Sequence, residues 1–273
     1  MSQFDLTTVA NVKARLGLPS APTTSDNVLA SLVTAASRAI YAALSRTSLL
    51  PRAYVDTLDI ESERVYLTNW PVLSVSSVTL DGLALPPATA VSTQPFLGYL
   101  LQPGDAAPPG RPQALDIFGR RASRRRQGLV VNYQAGYAVE GETWTAPSAA
   151  PYLLTAAAPF GVWASDLGVV YASSGLALQA VGGAPAVGQY SVAAGVYRFN
   201  ATDAGAALAL SYGFVPQDLA QAATELAAER FRSADRIGLR SKSLGGQETI
   251  SYDLSGFSDS VLALIGPYKR TAF

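Results

Sequence analysis

The hydrophobic period of this chain changes twice, and those changes limit the folds open to it. Apolar residues recur at helical spacing before Pro51, alternate after it, and return to helical spacing at Val215-Pro216. Side chains repeat about every 3.6 residues along a helix and every 2 along a strand, so a segment patterned for one cannot bury its apolar set as the other. Helices are therefore expected at both ends and strands between them.

The first helix is expected in "DLTTVANVKARLGLP", where Thr7 or Thr8 can cap and Val9, Val12 and Leu16 share a face. Gly17 and Pro19 stop it. A second follows in "TTSDNVLASLVTAASRAIYAALSR", capped by Ser25 or Asp26, with a stripe of Leu29, Leu32, Val33, Ala36, Ile40 and Leu44. Strand-like runs fall near residues 55–60, 64–67, 72–80 and 128–137, with Asp81-Gly82 as a turn signal. Residues 85–112 are rich in Pro, Gly and Ala and are expected to be a long irregular excursion. Residues 138–150 look like a linker.

The block after the linker carries no Lys and a single Arg, Arg198, up to Val215. Its short alternating runs and Gly and Asn/Asp turns predict a small all-β domain, with Tyr190, Val192, Val196, Tyr197 and Phe199 as core or strand-face candidates. Helix resumes at "VPQDLAQAATELAAERFRSADR", where Leu219, Ala223, Leu226, Ala227 and Phe231 share a face and Asp218 suits the first turn. A Gly-Ser-Lys loop follows over 238–246. Then come a short strand or extended arm, "ETISYD", and a last helix capped by Ser258 and halted at Gly266-Pro267.

Composition removes whole classes of chemistry. Among 273 residues there is no Cys and no His. Thiolate nucleophiles, disulfides, Ser-His-Asp and Cys-His constellations and the usual zinc sites are excluded. Carboxylate-pair or Ser-Lys chemistry stays open, but no motif marks it, and neither an enzymatic activity nor a cofactor is expected. The paired glycines 182-183 and 245-246 lack the spacing and the Lys of a phosphate loop. Formal net charge is zero. Tight DNA binding draws on a basic excess, so only transient, non-specific passage of DNA along a near-neutral wall is compatible. No apolar run approaching the ~18 residues of a membrane span is apparent, and the N-terminal segment does not read as a secretory signal.

Several segments, in order, resemble the head–tail connector (adaptor) proteins of tailed bacteriophages, related prophages and gene transfer agents. "DLTTVANVKARLGL" is similar to that family's opening helix and "LASLVTAASRAIYAAL" to its second. "VYLTNWPVLSVSSVTLDG" resembles its strand pair, and "VVNYQAGY" with "VPQDLAQAATELAAERF" its strand-to-helix junction. "LALIGPYKR" resembles the way these chains close. Each piece is short and degenerate; their order is the more specific signal.

The departure is the β block, because in typical members the Tyr-x-x-Gly-Tyr strand passes within a few residues to the Val-Pro helix start. The resemblance implies an α+β fold. A helical-bundle adaptor core with a small β-sheet would comprise residues 1–145 and 212–273, and an inserted immunoglobulin-like β-sandwich residues 146–211. It also implies a structural virion protein of the neck, assembled in the host cytoplasm into a homo-oligomeric, dodecameric ring. That ring would dock under the portal protein, carry DNA through its lumen during packaging and ejection, and join the tail or a tail-completion protein. The insert would face outward, holding a tail fibre or bracing the vertex.

Candidate partner contacts fall in three places. Six arginines lie between Arg111 and Arg126. Of these Arg120, Arg121, Arg124, Arg125 and Arg126 either form a solvated loop or grip an acidic neighbouring surface; a belt of such loops around a lumen would hold DNA, which favours a protein contact. Arg240, Lys242 and Tyr252 belong to a segment that is either a disordered loop or an arm that adds to a neighbour's sheet. Tyr268, Lys269, Arg270 and Phe273 are a frayed end or interface anchors. Trp144, Phe160, Trp163 and Tyr171 read as core or hinge packing, with sugar binding as the other use.

The alternative to an adaptor is a carbohydrate-binding, hydrolytic or host-recognition virion protein. A glycosidase needs two carboxylates about 5 to 9.5 Å apart. The block and its linker offer only Asp166, Asp203, Glu140 and Glu142.

Overall fold

The computed structural model describes residues 4–60, 62–88, 97–105, 107–119, 126–233, 256–270 and the backbone of 241–244 and 248–251. The chain forms two compact units. One comprises Met1–Thr47 with Gln217–Lys269, the other Ser48–Pro216 with Arg270–Phe273.

The first unit holds four helices among its described residues: α1 (Val9–Leu16), α2 (Asp26–Leu44), α3 (Gln217–Arg232) and α4 (Asp259–Ile265). Thr8 caps α1 by accepting the Asn11 N–H, and Gly17 ends it in the left-handed conformation at φ 71°. Both follow from the sequence. Helix α3 packs against the other three. It can do so because Ala220, Ala222, Ala223, Ala227 and Ala228 are buried beside Leu219 and Leu226, and small side chains admit helices from several directions. Thr7 and Thr224 hydroxyls meet at 2.7 Å between the start of α1 and α3. Lys13, buried beneath this surface, reaches Asp26 at 2.7 Å and donates to the Ala21 carbonyl.

Helix α2 corrects one expectation. Over its 19 residues its hydropathy of 1.3 meets the length and composition of a membrane span. Its buried residues Leu29, Val33, Ala36, Ile40 and Leu44 nonetheless lie on one stripe, the pattern of a helix covered on one side.

The second unit is entirely β in its longer elements. Strands β1 (Arg52–Leu58), β3 (Val72–Leu80), β4 (Leu83–Leu85) and β7 (Leu129–Ala135) form an antiparallel sheet ordered β1-β7-β3-β4. The Asp81-Gly82 turn, with positive φ at both residues, closes the β3–β4 hairpin. Strands β2 (Arg64–Tyr66), β5 (Gly98–Leu101) and β6 (Ala114–Phe118) form a second sheet ordered β2-β6-β5. Both sheets feed one core: Val78, Leu80, Leu129 and Val131 from the first, Tyr99, Leu115 and Ile117 from the second.

Further along, β8 (Ala138–Thr145), β10 (Gly161–Tyr171) and β14 (Ala207–Pro216) make a sheet ordered β10-β14-β8. Strands β9 (Leu153–Thr155), β11 (Gln179–Ala180), β12 (Gln189–Ala193) and β13 (Val196–Phe199) make one ordered β11-β12-β13-β9. A separate core lies between these two, from Ala146 and Leu154 through Tyr190, Tyr197 and Phe199 to Leu208, Leu210 and Tyr212. The last pair of strands, β15 (Ser241–Leu244) and β16 (Glu248–Ser251), is a two-stranded hairpin in the first unit.

The expected fold class, a helical-bundle core with a small sheet and an immunoglobulin-like insertion, does not hold. The chain is predominantly β, and the helices make the smaller share of it. The excursion of 85–112 contains β5, the arginine-bearing run contains β6, and the linker is β8. These strands were hidden because three to five residues between Pro and Gly are too few to display a period of two. β8 is an edge strand whose alternation is diluted by Glu140 and Glu142. Nor is the later β region ordered like an immunoglobulin constant domain, which groups its first, second, fifth and fourth strands. Here the first, third and seventh share a sheet, and β11 pairs with β12 in parallel.

Candidate interaction surfaces

The Tyr-x-x-Gly-Tyr segment, residues 133–137, ends β7 and shows why these residue types stand there. Tyr133 is buried and donates to Asp56 at 2.8 Å, while the Asn69 N–H donates to its oxygen at 3.1 Å. Asp56 also accepts from the Thr68 N–H at 2.8 Å. Burial, ahead of this bonding, pushes the Tyr133 phenol up to about 12. Gly136 sits at φ 147°, and a Cβ there would lie 2.4 Å from the Pro51 nitrogen. Only glycine lets strand and incoming chain pass this closely. Tyr137 donates its N–H to the Leu49 carbonyl and its hydroxyl to that of Pro109 at 2.7 Å. The motif is a structural joint within the β unit.

Three carboxylates of the later β region, Asp166, Asp203 and Glu142, are held by neighbouring donors, while Glu140 is exposed. Asp166 accepts from Tyr190 at 2.5 Å and from Tyr197 at 3.1 Å. Asp203, itself buried, accepts from Tyr171 at 2.6 Å and from the Gly188 N–H. Glu142 accepts from the Trp144 indole at 2.9 Å. Burial first, then Asp166, raises the Tyr190 phenol; burial chiefly raises those of Tyr197 and Tyr212, the latter to about 12. Asp203 is the main cause for Tyr171, also pushed up to about 12. Trp163 donates to the Tyr197 hydroxyl at 3.2 Å and lies against Gly195, while Phe160 tilts onto Phe214. The aromatic residues considered for sugar binding are thus engaged within the fold.

Among the described residues, each unit carries a surface cleft. The one beside α2 holds a single carboxylate, Asp5, and the one near Pro71 and Tyr137 holds only Asp105. Among the described residues, no group of three or more Asp or Glu is placed to hold a metal ion.

Of the residues singled out as partner contacts, Arg120, Arg121, Arg124, Arg125, Arg240, Tyr252 and Phe273 lie outside the described residues. Arg126 is exposed beside Gln127, whose N–H is tied to Asp59 at 2.5 Å. Lys242 stands opposite Ile250 in the β15–β16 register. Tyr268 is buried in its own unit: its hydroxyl donates to Asp218 at the start of α3 (3.0 Å), and its carbonyl accepts from the Arg46 guanidinium (3.0 Å). It closes the helical unit; of the described residues after it, Lys269 is exposed and Arg270 half-buried.

The sequence did not single out the free edge of β1. All seven of its residues pair with β7 without a bulge, and its other side pairs with no described residue. Val55, Ala53 and Thr57 are exposed along it. Unblocked edges of this kind are rare in isolated monomers, which makes β1 an interaction candidate.

No family model matches the chain, and no curated protein matches it. Among solved structures it is similar to a chain described as the neck of an empty GTA (gene transfer agent) particle computed with C6 symmetry. That match has a TM-score of 0.35 and 16% identity, and covers 97% of this chain and 90% of the other.

Proposed function

We propose that this chain is a structural, non-catalytic protein of a phage-like particle neck, a head–tail adaptor that forms a ring beneath the portal, lines part of the DNA conduit and receives the tail. The ordered resemblance of its segments is the sequence support. The observation that carries the reading is the helical unit: α1 and α2 from one end of the chain pack with α3 and α4 from the other. That meeting is what an adaptor body interrupted by a long β excursion requires. The reading takes residues 146–211 as an inserted module, with its own aromatic core, turned outward to hold a fibre or brace the vertex. Arg126, Lys269 and Arg270, with the arginine run and the arm, are its contacts to portal, tail or neighbouring subunit.

The test is co-assembly of the full chain with the portal of its own particle, followed by sedimentation and electron microscopy. Rings capping the portal are expected, with a monomer or labile oligomer when the chain is alone. A chain that stays monomeric and ignores portal overturns the reading. Excising residues 146–211 is expected to leave head–tail joining intact and to impair adsorption or fibre attachment.

A further inference from the structure

The hairpin β15–β16 pairs Ser241 with Ser251 through Leu244 with Glu248, and no third strand joins it among the described residues. Two four-residue strands alone are marginal in water; a third strand or a covering surface is what makes such a hairpin persist. The same chain carries an edge that lacks a partner strand among the described residues. β1 offers seven residues with no proline, lysine or bulge. Its two charged residues do not guard that edge with a row of charge: Asp56 is turned inward to Thr68 and Tyr133, and Arg52 stands at one end near the Tyr54 ring. Its outward side chains are Ala53, Val55 and Thr57, and Val55 is 63% exposed.

We propose that the β15–β16 hairpin of one copy adds to the β1 edge of a second copy, extending the sheet β1-β7-β3-β4 across the subunit boundary. The inference rests on the ring reading and names its subunit contact. A second copy is the occupant because both halves of the contact belong to this chain, and β1 pairs only with β7 among the described residues of its own copy. Four-residue strands fit within the seven of β1. Main-chain hydrogen bonds then supply affinity, with alternate side chains setting register. Because hairpin and edge are different surfaces, the contact is head-to-tail, the kind that closes into a ring when the rotation allows.

The absence of cysteine makes the test clean. Full-length chain carrying Val55→Cys with Ser243→Cys, or Val55→Cys with Thr249→Cys, is oxidised mildly and run without reductant. At least one pair is expected to give a ladder of dimers and higher multimers, about tenfold above a control pair with Ala84→Cys in place of Val55→Cys. Mixing the two single-cysteine chains is expected to give a dimer containing one of each. Monomer alone, a disulfide closed within one chain, or a ladder no stronger than the control overturns strand addition. Rings seen by electron microscopy without a ladder sink this contact and leave the adaptor reading standing; neither rings nor ladder sinks both. Replacing residues 240–252 with a Gly-Ser linker is a second check. It is expected to abolish oligomers at concentrations where the parent chain forms them, and unchanged rings would overturn the contact.

Discussion

The core between the sheets of residues 52–135 is mostly aliphatic, built from Val72, Val78, Leu80, Leu115, Ile117, Leu129 and Val131. The core of residues 146–212 is instead rich in tyrosine: Tyr190, Tyr197 and Tyr212 fill it, and Tyr171 packs against it. An aliphatic core is specified by volume and pattern, so many combinations of similar size satisfy it. A phenol adds a demand, since its hydroxyl must reach an acceptor or lose about 1–3 kcal/mol. Asp166 on β10 answers Tyr190 on β12 and Tyr197 on β13 together, so one carboxylate sets the relation of strands from two sheets. The first core is a matter of filling; the second is also a matter of register.

The largest expected effect tests whether the two cores are separate. Tyr197→Ala should cost about 3–5 kcal/mol and Leu115→Ala about 2–5 kcal/mol, both side chains being fully buried. Amide exchange should rise chiefly in β9 to β14 for the first and in β1 to β7 for the second. Equal loss of protection throughout would merge the two into one cooperative body. Next is Gly136→Ala, which drives a methyl into the backbone at Pro51 and should cost about 1–3 kcal/mol in denaturant titration. No loss would mean that the joint between β7 and β8 relaxes freely.

Smaller effects sharpen the contrast of polar networks. Tyr190→Phe takes from Asp166 Oδ2 its phenolic donor and should cost about 1–3 kcal/mol. Tyr133→Phe leaves Asp56 with both the Thr68 N–H and hydroxyl but strands the buried Asn69 N–H, and should also cost about 1–3 kcal/mol. No loss in thermal melts for Tyr190→Phe would contradict the register argument.

The smallest effect near neutrality is that of pH. Phenols raised in the folded state lose their protons first in the unfolded chain, so their contribution is complete below about pH 10. It drains away as pH rises through about 12 for Tyr171, Tyr212 and Tyr133, and higher still for Tyr190 and Tyr197. With more such groups, the tyrosine-rich region should fail first. Tyrosinate absorbance rising in step with loss of β9–β14 structure would show it.

Part of this architecture was legible from residues alone. The cap at Thr8, the stop at Gly17, the stripe of α2, the turn at Asp81-Gly82 and the core places of Tyr190, Tyr197 and Phe199 follow from local rules. Such signals need only a few neighbours in sequence to be physically meaningful. The strand run at 64–67 was legible and is β2, but β5, β6 and β8 were not, because a short or charge-diluted strand gains its identity from the strands beside it.

For the candidate surfaces the division is similar. Tyr268 has the composition of an interface anchor, yet Asp218 and Arg46, distant in sequence, draw it inward. The free edge of β1 has no sequence signature, since being an edge is a matter of which strand does not pair. By itself the sequence determined where helix and strand alternate, that no Cys or His is present and where turns fall, all consequences of short-range sterics and composition. Only the tertiary structure decided which strands meet, how two cores divide the β unit and which edge stays open, because those depend on contacts between residues far apart along the chain.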